Sequence, residues 1–77
     1  MKYHLVAMYD ARVESFMTPV AVVSIPQAQR SFLKEVSEGG DAYSMREDVS
    51  LFHLGSFDET TGEFEQGECP RKISSGS

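Results

Sequence analysis

Two stretches of this chain carry apolar side chains on both faces of an alternating pattern, which limits what it can become. In Lys2–Asp10, Tyr3, Leu5, Ala7 and Tyr9 share one face, and Lys2, His4, Val6, Met8 and Asp10 share the other. In the second, Val49, Leu51 and His53 alternate with Ser50, Phe52 and Leu54. A strand that is apolar on both faces needs cover on both, so each stretch is expected inside a sheet or beneath an interface. The second run leads into Gly55–Phe64, which is expected to turn the chain. Asp58 and Thr60 can accept local backbone hydrogen bonds there, and Gly62 can supply a positive φ before a short run around Phe64. Glu47–Glu65 thus reads as a β-hairpin with an acidic tip.

The remaining segments complete an α+β pattern. Ala11–Pro19 breaks the first alternation, and Val20–Val23 is a short β-branched run suited to a strand antiparallel to the first. Ser24-Ile25-Pro26-Gln27 is a helix start: Ser24 as N-cap, Pro26 in the first turn, Gln27 at the third helical position. The helix is expected to run to about Glu38 and stop at Gly39-Gly40, with Ile25, Ala28, Phe32, Leu33 and Val36 as its apolar stripe. The expected fold is a mainly antiparallel four-stranded sheet with one helix packed on a face, in the order β-β-α-β-β. Residues 1–65 form the single domain. Residues 66–77, without periodicity, are expected to fray or lie as an extended, flexible C-terminal tail.

A chain of 77 residues buries only about 60% of its unfolded surface, so a lone monomer is marginal. The single cysteine, Cys69, allows no internal disulfide, and no Cys/His spacing suggests a metal site. A homo-oligomer, dimer or larger, is the expected remedy. The net charge of −5 works against sequence-independent binding to phosphate backbones by the whole surface. No apolar run approaches a membrane span, Met1–Asp10 has no signal-peptide pattern, and an unpaired cysteine suits a reducing cytoplasm.

Catalytic constellations are not evident. His4 and His53 each lack a companion at a telling spacing, and Cys69 has no His nearby in sequence. Gly39-Gly40 ends a helix rather than opening one, so it is no phosphate cradle. The acids Asp58, Glu59, Glu63 and Glu65 lack the ligand alternation of a calcium loop. No enzyme activity, cofactor or metal is expected. Arg12, Arg30 and Lys34 are the candidate nucleic-acid contacts, weighed against a solvated helix face with a Lys34–Glu38 pair. Tyr3, Tyr9, Phe52, Phe57 and Phe64 could stack bases if displayed on a sheet, but most are expected in the core between sheet and helix.

Taken as a pattern, the chain runs from a strand ending at Asp10 through Phe16-x-x-Pro19, Ala28-x-Arg30-x-Phe32 and Glu47-Asp48. It continues with Leu51-Phe52-x-Leu54-Gly55-x-Phe57-Asp58 and Thr61-Gly62. This resembles the small nonstructural protein of gokushoviruses, tailless phages with single-stranded DNA genomes, over about Lys2 to Phe64. The departure is Arg46, where that family usually has proline before Glu-Asp. The resemblance implies an accessory factor of genome replication or packaging in the host bacterial cytoplasm, not a virion component. Two expectations follow: a factor bound to single-stranded DNA, or an oligomeric adaptor for a phage or host replication or capsid protein.

Overall fold

The computed structural model describes residues 1–38 and 46–76. The elements in chain order are β1 (Lys2–Asp10), β2 (Ser15–Phe16), β3 (Val20–Val22), α1 (Ile25–Ser37), β4 (Val49–Asp58), β5 (Phe64–Glu65) and β6 (Arg71–Ser75). The fold is α+β, with every strand pair antiparallel. The two stretches apolar on both faces become the two central strands, β1 and β4, paired from Lys2↔Asp58 to Asp10↔Val49.

Among the described residues six strands stand where four were expected, because each outer column of the sheet is made of two short pieces. On the free side of β1, β3 pairs with His4–Val6 and β2 with Tyr9–Asp10. Met17 still donates its N–H to the Met8 carbonyl at 2.7 Å, but Pro19 has no N–H to continue the ladder. On the free side of β4, β5 pairs with Ser56–Phe57 and β6 with Ser50–His53. Short, interrupted edges of this kind leave little template for strand addition.

The C-terminal residues depart from the flexible tail expected of them. Arg71–Ser75 is a strand, Gly76 donates to the Val49 carbonyl at 3.0 Å, and the Gln29 side chain donates to the Ile73 carbonyl at 2.7 Å. The backbone of Ser50–His53 needs partners on its second side, and this segment supplies them, so the folded unit extends beyond residue 65. Its single apolar residue, Ile73, packs against the core and gave too little pattern to read. A second departure lies in β4, which continues through Gly55 to Asp58 instead of turning there. The turn comes at Asp58–Gly62, where Asp58 Oδ1 accepts from Thr60 N at 2.9 Å and Gly62 has φ +78°.

The helix begins as its capping residues dictate. Ser24 Oγ accepts from Gln27 N at 3.3 Å, and the Ser24 carbonyl accepts from Ala28 N at 3.1 Å. Its end at Ser37, with Glu38 as C-cap, matches expectation; the Gly39-Gly40 stop lies outside the described residues. Phe32 and Val36 are buried against Val6, Val49 and Leu51, with Met8, Val22, Ile25, Ala28 and Ile73 around them. Leu33, expected in the stripe, is exposed, since one residue past Phe32 the helix has turned about 100° away from the sheet.

The aromatic side chains also correct an expectation. Among the described residues, Phe32 is the only aromatic that is buried. Alternation in β1 and β4 sends Val6, Met8, Val49 and Leu51 toward the helix, and Tyr3, Tyr9, Phe52 and Phe57 to the opposite face. Among the described residues one helix, α1, covers one side of the sheet, and these rings lie on the other.

Candidate functional site

The face of the sheet away from α1 is mainly apolar, with Ser50 beside Tyr9 and Lys72 beside Phe52. Tyr3, Phe57 and Phe64 form a row across three strands, because the first two are register partners and Phe64 is paired to Phe57. At the other end Tyr9, Phe16 and Phe52 contact one another edge to face, with ring centroids 4.9, 5.3 and 5.8 Å apart. Such geometry adds about 0.5–1.5 kcal/mol per pair beyond area burial. Phe16, Phe57 and Phe64 remain 41%, 39% and 50% exposed, and Leu5 and Leu54 are half-buried. Lys72, the register partner of Phe52, is a cation that the pairing brings to this face.

The three cations singled out from the sequence lie elsewhere. Arg30 and Lys34 are exposed on the outer side of α1, two positions from Phe32 on either side, so the sheet separates them from the rings. Lys34 Nζ stands 4.0 Å from Glu38 Oε1, the expected pair. Arg12 is tied to the β1–β2 turn: its backbone N–H donates to Asp10 Oδ1 at 2.9 Å, and its guanidinium reaches Asp10 at 3.4 Å and Asp48 at 3.7 Å. That clasp joins the end of β1 to the approach to β4.

The hydrogen bond from the Arg12 backbone holds the Asp10 carboxyl below its usual range, against the opposing effect of burial, and the guanidinium adds to it. The Thr60 backbone lowers Asp58 in the same way, helped by Thr61, the chain N-terminus and Lys2. Carboxyls depressed in the folded state stabilise it above their unfolded value, near 4, and that contribution is lost as pH falls through the folded value. Thermal melting is therefore expected at lower temperature as pH is taken from about 6 to about 3, with a shallower slope in Asp58→Asn. Identical slopes in the two proteins would contradict the assignment.

On the helix side of the sheet, past the end of α1's contacts, four polar side chains that the sequence scatters form a chain. Cys69 Sγ lies 3.4 Å from His53 Nδ1, His53 Nε2 lies 3.3 Å from His4 Nδ1, and Ser56 Oγ lies 3.4 Å from His4 Nδ1. A bulge makes this possible. Val6 pairs with His53 and Leu5 with Gly55, so Leu54 is an extra residue, and His53 and Ser56 come to the same face although three apart. Burial, then His4, lowers the pKa of His53, with Arg71 adding to the effect against a hydrogen bond involving Gly55. The neutral ring is thereby favoured.

His4, His53 and Cys69 stand 49 and 16 residues apart, and no spacing in the sequence joins them. The partial signal was that His4 shares a face with Val6 and His53 with Leu51, the two core-facing sets. Cys69 and His4 approach opposite nitrogens of one imidazole, so they do not converge on one point. Among the described residues no group of three or more His, Cys, Asp or Glu is placed to hold one metal ion.

A groove of about 570 Å³ runs between α1 and the β2–β3 edge, lined mainly by Val6, Met8, Met17, Val20, Ala28 and Phe32. It is apolar and open to solvent, with Gln27 and Glu35 on its rim.

Against this geometry, a family model described as Phage ORF5 protein matches residues 3–77. The chain belongs to that family. The match includes β6, in keeping with a folded unit that runs to the C-terminal strand. Phage ORF5 membership makes it a small phage protein, as the resemblance implied. No curated protein and no solved structure matches the chain.

Proposed function

We propose that this Phage ORF5 protein is an accessory factor that works through protein contact rather than catalysis, as a homo-oligomer whose open aromatic faces pack on each other. The observation that carries the reading is the exposed face bearing Tyr9, Phe16, Phe52, Phe57 and Phe64. Contiguous apolar surface of this kind marks interaction sites in soluble proteins. The occupant we assign is a second copy of the same chain. The molecule measures 40 × 23 × 17 Å, so its broad face matches the ~800 Å² that each partner buries in a standard interface. Among the described residues, six apolar side chains are buried in one copy: Val6, Ala7, Phe32, Val36, Val49 and Leu51. Covering the second face would supply the apolar burial that so short a chain lacks. The charge balance agrees: the rows of this face are aromatic and aliphatic apart from residues such as Ser50 and Lys72, in an otherwise acidic chain, so a copy meets little like-charge repulsion there. A two-fold pairing of the same patch on both copies is the simplest closed arrangement.

The phage family supports a setting in an infected bacterium, and the gokushovirus resemblance supports a part in genome replication or packaging. The alternative, direct association with single-stranded DNA, needs rings and cations on one surface. Arg30 and Lys34 stand on the far side of the sheet from the rings, and Lys72 beside Phe52 is less positive charge than a groove tracking a nucleic-acid backbone uses, which favours the protein-contact reading.

Light scattering over a dilution series tests it. The wild-type chain is expected at dimer mass or above, and Phe52→Glu or Phe57→Glu is expected to shift it to monomer while circular dichroism stays native. A wild-type monomer at millimolar concentration would overturn the proposal, as would a dimer indifferent to both changes. Tight, steeply salt-dependent binding of single-stranded DNA by a monomer would favour the alternative.

A further inference from the structure

We propose that Cys69 is a nucleophilic thiol served by a two-histidine proton relay, and that it exchanges with small disulfides. The site stands apart from the aromatic face and does not depend on the oligomer. Nucleophile, base and orienting group occur here as three contacts in series. Cys69 Sγ faces His53 Nδ1 at 3.4 Å, His53 Nε2 faces His4 Nδ1 at 3.3 Å, and Ser56 Oγ completes the chain at 3.4 Å. This is the arrangement by which an adjacent base activates a cysteine.

One proton assignment accounts for the two contacts of His53 in the resting state. The thiol donates to bare His53 Nδ1, and His53 Nε2–H donates to His4 Nδ1. The neutral imidazole favoured for His53 fits this assignment. When Cys69 attacks a disulfide, a new S–S bond forms between Sγ and one sulfur of the reagent, and the reagent's own S–S bond breaks. The second sulfur leaves as a thiolate with the bond's electron pair. The thiol proton passes to His53 Nδ1 while the Nε2 proton passes to His4 Nδ1, so the positive charge ends on His4, beside the Ser56 hydroxyl oxygen. The disulfide is the oxidant, and the product is a mixed disulfide on Cys69.

The surroundings suit the step. Cys69 is half-buried in the β5–β6 connection, where its N–H donates to the Gln66 carbonyl at 3.1 Å. Arg71, the register partner of His53, adds positive charge beside the imidazole. Other ionisable groups on this side include His4 from β1, Glu65 paired to Ser56 from β5, Glu63 beside them, and the Lys2–Asp58 pair at the strand ends.

The test is the rate of thionitrobenzoate release from dithiobis-nitrobenzoate by the full chain, followed against pH. An unassisted thiol reacts only as pH rises toward ~8.5. The wild-type rate is expected to hold up well below that, and His53→Gln is expected to slow it about tenfold or more at neutral pH. His4→Gln, which does not touch the sulfur, separates relay from scaffold: it should restore the ordinary thiol pH profile with the fold intact by circular dichroism. Wild-type reactivity that follows an unassisted cysteine would overturn the proposal, and so would a His4→Gln profile superimposable on wild type.

Discussion

Truncating Phe32 to alanine is expected to leave the chain largely unfolded at room temperature. Phe32 is the one buried aromatic among the described residues, 4% exposed, and it holds α1 on the sheet with Val36 against Val6, Val49 and Leu51. Phe→Ala changes in cores cost about 3–5 kcal/mol, from lost transfer energy and the cavity left behind. Domains this small sit near the lower end of a stability range that starts at about 5 kcal/mol. The loss therefore approaches the whole. Far-ultraviolet circular dichroism and a urea titration would show it, and Phe32→Leu should retain a cooperative transition at lower denaturant. A Phe32→Ala protein melting within about 5 °C of wild type, equivalent to roughly 1 kcal/mol, would mean that the helix is not held by this ring. Because oligomerisation stabilises by mass action, the comparison belongs at one protein concentration.

The second large effect is expected at Gly55. A Cβ built there runs into the Phe64 ring and falls 2.8 Å from the backbone oxygen of Glu65. The ring can swing aside, but the carbonyl belongs to the β4–β5 ladder and moves only if β5 leaves. The backbone at Gly55 also has φ +157°, at the margin of what side chains accept. Gly55→Val is thus expected to detach β5, destabilising by about 1–3 kcal/mol in the manner of an overpacked site. That corresponds to a melting temperature lower by roughly 10 °C. Amide exchange at Phe64 and Glu65 should accelerate before that of β1. Gly62→Ala is the control: nothing lies within 4 Å of its Cβ, so only the φ of +78° is strained and the effect should stay local to the turn. A Gly55→Val protein with native exchange at Phe64 would remove the close packing as the reason for glycine.

Together the two substitutions probe both faces of one sheet. Phe32 reports the covered face, and Gly55 reports the face where Phe64 lies across the strand. The second is also the proposed subunit contact, so Gly55→Val should weaken self-association along with stability. Phe52→Glu is expected to weaken association with less effect on the core.

Local chemistry was legible from the residues alone. Alternation with apolar groups on both faces placed β1 and β4 in the sheet centre. Ser24 and Gln27 marked the start of α1, and Asp58 and Gly62 marked the turn before Phe64, because capping and turn geometry depend on neighbours a few residues away. The family resemblance ran along those same segments. Non-local choices were hidden. Strand β6 has almost no pattern of its own and forms because β4 has backbone groups to satisfy. The aromatic rings read as core in the sequence, but one thirteen-residue helix covers one face and leaves them outside. The joining of His4, His53, Ser56 and Cys69 depends on a single extra residue, Leu54, in the β1–β4 register. A one-residue change of register reverses which face a side chain occupies, and that information lies in the pairing of distant strands rather than in either strand.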